Sequence, residues 1–139
     1  MQNTIFVVKG VANTGKTKTI KKVYELLFKK YPNAKKEEEI TGGDIRVILT
    51  INGVKIGIES QGDPNSRLFK SIELFIKMKC EIIVCATRTR GATCKIVSKQ
   101  ENNYSISWKN KNKSEKGKED KENLELAELI VEEINKLLS

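Results

Sequence analysis

Residues 7–20, VVKGVANTGKTKTI, set the tightest limit on what this chain can fold into. Two glycines stand five positions apart, a lysine and a threonine follow the second, and the apolar β-branched run TIFVVK (4–9) leads into the first. Such a run suits a strand buried on both faces. Beyond the glycines, Ile20, Val23, Tyr24 and Leu27 recur at helical spacing, and Pro32 marks where that helix must have stopped. Strand, glycine loop and amphipathic helix in that order require a sheet whose faces are covered by helices.

The loop itself, Gly10-Val11-Ala12-Asn13-Thr14-Gly15-Lys16-Thr17, fits GxxxxGK[ST]. Glycine freedom lets the backbone wrap with several N–H groups pointing inward, and the helix that opens there adds its own positive end. Lys16 can reach outer phosphates, Lys18 adds charge at the same helix start, and the Thr17 hydroxyl can ligate magnesium. A glycine turn beside an incidental lysine is the plain alternative. The placement, directly after a buried strand and at the start of a helix, favours a phosphate cradle running from Gly10 to Lys18.

The rest of the chain alternates in the same way. KKEEEITGGD reads as a polar, mobile connection. Two β-rich runs, 45–51 and 54–59, flank Asn52-Gly53, a strong signal for a two-residue hairpin. Asp63-Pro64 fits an N-cap and first helical residue, followed by an apolar stripe of Leu68, Phe69, Ile72, Phe75 and Ile76. EIIVCA (81–86) reads as a buried strand, TRTRGATCKIVSK as a loop and short helix, and YSISW (104–108) as a last strand with one wet face. Residues 109–121 are charged and almost free of apolar side chains, which predicts a mobile loop. Residues 122–138 carry Leu126, Ala127, Ile130, Val131, Ile134, Leu137 and Leu138 on one side of a closing helix. The expected architecture is a single α/β domain, 1–139: a three-layer sandwich around a mainly parallel sheet with one antiparallel hairpin strand.

Composition narrows the chemistry. There is no histidine among the 139 residues, which excludes imidazole acid–base catalysis and histidine-held metals. The three cysteines, Cys80, Cys85 and Cys94, have neither metal-ligand nor disulfide-framework spacing, so buried reduced thiols are expected. The net charge of +8 is uneven, because the excess lies in residues 1–121 while 122–139 are acidic. A polyanion, nucleic acid included, is a weaker candidate partner than a small phosphate ligand, since excess lysine often only solvates a surface. No apolar run is long enough to span a bilayer, and the N-terminus lacks the order of a signal peptide, so a cytoplasmic location without membrane contact is expected.

Gly10–Thr17 resembles the phosphate-binding loop of the P-loop NTPase superfamily, and the resemblance extends more loosely to residues 54–59. It implies a P-loop NTPase-like fold that binds a nucleoside triphosphate, ATP or GTP, together with Mg2+. In that superfamily a second apolar strand ends in an acidic residue that holds magnesium, and VKIGIES places Glu59 there; a solvated strand-end glutamate is the other reading. The hairpin ending in Glu59-Ser60-Gln61-Gly62 resembles the G-protein branch, in which the glycine senses the γ-phosphate and an adjacent glutamine positions water. Thr41 falls where that branch keeps a switch threonine. Gln61 here precedes the glycine, and no guanine-reading motif is present, which favours adenine.

Three further side chains complete the expected catalytic set of Lys16, Gln61, Asp63, Arg88 and Arg90. Arg88 and Arg90 follow the strand at 81–86, where ligands gather in open α/β sheets, and an arginine there can stabilise a transferring phosphoryl group. Asp63 is either an N-cap or a base near the end of the Glu59 strand. The function expected first is a Mg-dependent NTP hydrolase or nucleotide-dependent switch, one that a protein activator or polyanion would accelerate. A kinase for a nucleotide or other small molecule is the second reading, and a non-catalytic sensor or nucleic-acid-associated module is the third.

Overall fold

The computed structural model describes all 139 residues. In chain order they form β1 (Thr4–Lys9), α1 (Lys16–Lys30), β2 (Lys35–Ile40), β3 (Arg46–Ile51), β4 (Val54–Glu59), α2 (Leu68–Lys77), β5 (Ile82–Thr87), α3 (Ala92–Ser98), β6 (Ser105–Asn110) and α4 (Glu119–Leu138). The strands make one sheet in the order β2-β3-β4-β5-β1-β6. β1 lies parallel to both β5 and β6, β4 is parallel to β5, and β3 is antiparallel to β2 and β4. Only β3 runs against the others. The expected α/β architecture with one antiparallel hairpin strand is present, within a mixed sheet of six strands and four helices. No helix is long and apolar enough to cross a membrane.

Alternation along the strands supplies two cores. Phe6 and Val8 of β1, with Ile82 and Val84 of β5, pack against Ile20, Val23 and Leu27 of α1 and Ile130 and Ile134 of α4. Ile5, Val7, Ile83 and Cys85 point to the other face and meet Leu68, Ile72 and Phe75 of α2 and Val97 of α3. The β3–β4 turn uses Asn52 and Gly53 at φ 51° and 79°, the left-handed conformation that the Asn-Gly pair predicts. Gly57 of β4 has a different purpose. A Cβ there would fall 2.5 Å from Cγ of the fully buried Phe75, so the missing side chain is what lets the α2 ring settle onto the sheet.

Four expectations are corrected. Residues 35–40 are not a mobile connection but the edge strand β2. Its charges are cross-linked to the neighbouring strands through Glu38–Arg46 (3.0 Å) and Glu37–Lys55 (3.1 Å), and charged residues suit an edge that must not pair further. Helix α2 begins at Leu68, not at Pro64; Asp63 starts a turn closed by Ser66 N–H on its carbonyl, and so it is no N-cap. The mobile loop expected at 109–121 shrinks to 111–118, because β6 continues to Asn110 and α4 starts at Glu119 instead of 122. Glu119, Asp120 and Glu122 fill the first turn of α4, where the helix dipole favours anions. Lys111 is buried, its N–H donating to the Lys9 carbonyl at 2.7 Å. Finally, Cys80 and Cys85 are buried free thiols as expected, but Cys94 is half-buried.

Two measurements check this packing. Gly57→Ala should lower stability by about 1–3 kcal/mol through overpacking, read as a fall in Tm, and Phe75→Leu in the same chain should restore part of it. Burial pushes the Cys80 and Cys85 thiols up to about 12 from the ordinary 9.0. Iodoacetamide near pH 8 should therefore label Cys94 first and the other two only after denaturation. The folded chain keeps these two thiol protons while the unfolded chain loses them, so stability should decline as pH rises from 9 towards 12.

Candidate functional site

Parallel pairing on both edges of β1 brings the carboxyl ends of β1, β5 and β6 level, with Lys9 beside Thr87 and Asn110. The loop from Gly10 to Gly15 leaves the sheet at that end. Asn13 (φ 61°) and Gly15 (φ 88°) adopt left-handed backbone conformations that curl it. The curl is boxed from behind: a Cβ on Gly10 would strike the Lys111 carbonyl, and one on Gly15 would fall 2.5 Å from Oδ1 of the buried Asn123 in α4. The main-chain N–H groups from Val11 through Lys18 donate to no carbonyl of the protein. Such a run, at the positive end of α1, forms a concavity whose donors suit an anion.

Lys16 crosses the curl. Its ammonium is almost wholly buried and donates to the carbonyls of Gly10 (2.5 Å) and Thr87 (3.0 Å). Burial depresses its pKa from the ordinary lysine value, Asp63 opposes that, and Arg88 adds to it. Two carbonyl dipoles satisfy an ammonium but do not neutralise it. The loop opens onto a cavity of about 830 Å³, lined mainly by polar groups that include Thr17, Asp44, Ser60, Gln61 and Asp63. Lys18 lies at its rim, 3.6 Å from Glu119 in an exposed pair.

The other expected residues distribute unevenly. Glu59 ends β4 fully buried, outside the cavity lining. Its Oε1 accepts from Ser71 Oγ (2.5 Å) and Arg67 Nε (2.7 Å), and its Oε2 accepts from Gln61 N–H (3.0 Å). This carboxylate, expected as a metal ligand, is a strut between β4 and α2 that does not reach the cavity: a charge buried this way is stable only while paired, and both of its oxygens are engaged. Gln61 does line the cavity, yet its Oε1 accepts from Arg67 N–H (2.9 Å), so only its amide nitrogen is free to work there. Gly62 sits hard on β5, where a Cβ would lie 2.7 Å from the Ala86 carbonyl. Asp63 reaches the cavity and receives Arg88 Nε at 2.9 Å; neither Arg88 nor Arg90 lines the cavity, and Arg90 is exposed on the same loop. Thr41 is exposed and outside the lining as well.

Sequence reasoning missed one acidic residue. Asp44 lines the cavity, and its Oδ1 accepts from Ser60 Oγ (2.8 Å) and Thr17 Oγ1 (3.2 Å). Ser60 Oγ also accepts from Ile45 N–H (2.8 Å), and Ser60 N–H donates to the Ile45 carbonyl (2.9 Å). That clip fastens residues 44–45 to the end of β4, opposite the first turn of α1. The signal in the sequence was a lone acid after Gly42-Gly43 at the mouth of a hairpin strand, and a polar stretch hid it.

Compared with known proteins, the chain matches no family model, no curated protein and no solved structure.

Glu59→Gln should leave the Arg67 guanidinium short of its counter-charge, with Arg67 Nη2 already buried and unpartnered. The expected cost is about 3 kcal/mol or more, measured by urea denaturation.

Proposed function

We propose that the chain binds a nucleoside triphosphate with magnesium at the Gly10–Lys18 loop and acts as a slow NTP hydrolase or nucleotide-dependent switch, with ATP ahead of GTP. The supporting observation is the run of unpaired N–H groups from Val11 to Lys18, curled around a buried ammonium at a helix N-terminus. It is the arrangement expected of the P-loop resemblance, and phosphate oxygens are the acceptors it suits.

Each side chain then has a physical task. Lys16 exchanges two neutral carbonyls for charged oxygens, which offsets the desolvation that depresses its pKa. The Thr17 and Ser60 hydroxyls and the Asp44 carboxylate are hard oxygen donors of the kind magnesium accepts. When bound, magnesium would supply positive charge that offsets the charge of the phosphates. Asp63 has one oxygen on Arg88 and so keeps the other to orient a water in the cavity, while the Gln61 amide nitrogen supplies a donor beside it. Arg88, held against Asp63 just outside the lining, would supply positive charge near the transferring group. The sequence lacks a guanine-reading motif, which supports adenine.

The width of the polar cavity beyond Lys16 favours one second reading, transfer to a small hydroxyl acceptor instead of water. Product analysis with γ-labelled ATP separates the two, as free phosphate supports hydrolysis and a labelled metabolite supports transfer. Lys16→Ala should weaken nucleotide binding about 10- to 100-fold, the worth of one charge-assisted hydrogen-bonded contact. Titration of both proteins with ATP and GTP checks it. Equal affinity of variant and wild type would remove the nucleotide reading.

A further inference from the structure

Resting on that nucleotide reading, we infer that Asp44, working with Thr17, is the carboxylate that receives the divalent cation travelling with the phosphates, and that Glu59 has no part in it. Glu59 is fully buried, both of its oxygens already accept hydrogen bonds, and turning it towards the cavity would strand Arg67. Asp63 has one oxygen on Arg88 and makes no hydrogen bond with Thr17, so it does not share the hydroxyl that follows the buried lysine. Glu119 stands beside Lys18 on the rim. Only Asp44 brings a carboxylate within 3.2 Å of the hydroxyl of Thr17, the residue directly after the buried lysine.

The donor chemistry agrees. Asp44 Oδ1 gathers two hydroxyls, and its Oδ2 accepts no hydrogen bond from the protein, which leaves an oxygen for a cation. The chain contains no group of three or more carboxylate or thiol side chains able to hold a metal unaided. A hard cation bound by one carboxylate and one or two hydroxyls needs phosphate oxygens and waters to complete six ligands. The cation therefore binds as a complex with the nucleotide and only weakly to the free protein.

The Ser60–Ile45 clip gives this cation a mechanical consequence. Residues 41–43 precede Asp44 without close packing, since a Cβ on Gly42 or Gly43 would meet nothing within 4 Å. Asp44 itself is held from the far side by Ser60. A cation between Asp44 and Thr17 would thus tie the start of β3 and the end of β4 to α1, and nucleotide state would be felt at the hairpin.

The test measures affinity, not turnover. Wild type, Asp44→Asn and Glu59→Gln are titrated with the imido analogues of ATP and GTP, in excess EDTA and in Mg2+. Wild type should gain at least about tenfold from Mg2+, Asp44→Asn should lose most of that gain while binding in EDTA equally well or better, and Glu59→Gln should keep it. Asp44→Cys supplies a second readout, because a thiolate favours soft metals: it should gain from Cd2+ where wild type gains from Mg2+. A Mg2+ gain that survives Asp44→Asn, or one lost in folded Glu59→Gln, would overturn the assignment. No Mg2+ gain in wild type that still binds nucleotide would do so as well. Failure of wild type to bind either analogue even in EDTA would instead overturn the nucleotide reading and this inference with it.

Discussion

The double parallel pairing of β1 governs the molecule. A strand hydrogen-bonded to β5 on one edge and β6 on the other cannot slide or tilt without breaking two ladders. Its register places the start of the glycine loop against Thr87, and Gly10 N–H donates to the Thr87 carbonyl at 3.1 Å. Parallel strands must also be joined by crossovers, so helices are forced onto both faces and the loops that close them collect at shared ends. The site needs no further invention. It is where the topology leaves its connections, and the curl of residues 10–15 turns one of them into a concavity.

Two buried charges show how differently the fold can use the same kind of group. Glu59 and Lys16 both lie in the interior near strand ends. Glu59 has a guanidinium, a hydroxyl and an amide around it, so its burial is complete and static. Lys16 has only carbonyls within hydrogen-bonding distance, and desolvation outweighs Asp63 in setting its proton affinity. A satisfied ion pair is structure; an ammonium with no counter-charge bonded to it, beside unpaired N–H groups, has the chemistry to accept an anion. This asymmetry separates the two residues more sharply than their places along the sequence do.

Patterning alone revealed the apolar strands, the Asn52-Gly53 turn, the amphipathic helices and the glycine loop, because each has a period or a backbone demand that only certain residues meet. It failed at KKEEEI, since an edge strand whose stability comes from a backbone ladder and cross-strand ion pairs looks like solvated chain. It failed similarly at 109–121, where a lysine-rich stretch conceals Lys111 pinned beneath the loop. In the site, local spacing pointed to Lys16 and Thr17, which do line the cavity, and to Glu59, which does not. Glu59 is eight residues from Arg67 and twelve from Ser71, and such separations are invisible until α2 folds back on β4. Asp44 meets Thr17 across 27 residues, a contact that only the hairpin and the Ser60 clip create.

The α4 layer matters to the cavity on the other side of the glycine loop. Asn123 faces Gly15 so closely that any side chain there would have to displace it, and its Oδ1 lies 3.3 Å from the Thr19 hydroxyl, which itself donates to the Gly15 carbonyl. Lys111 presses on Gly10 from the loop before α4. Both glycines of the motif therefore serve packing, and Gly15 the curl as well: each is a place where another backbone or side chain comes too near for a Cβ. The loop is held in its shape from behind before any ligand arrives in front, and preorganised donors of that kind lose little on binding. A chain that merely needed a turn between β1 and α1 would have had no reason to support both ends of it.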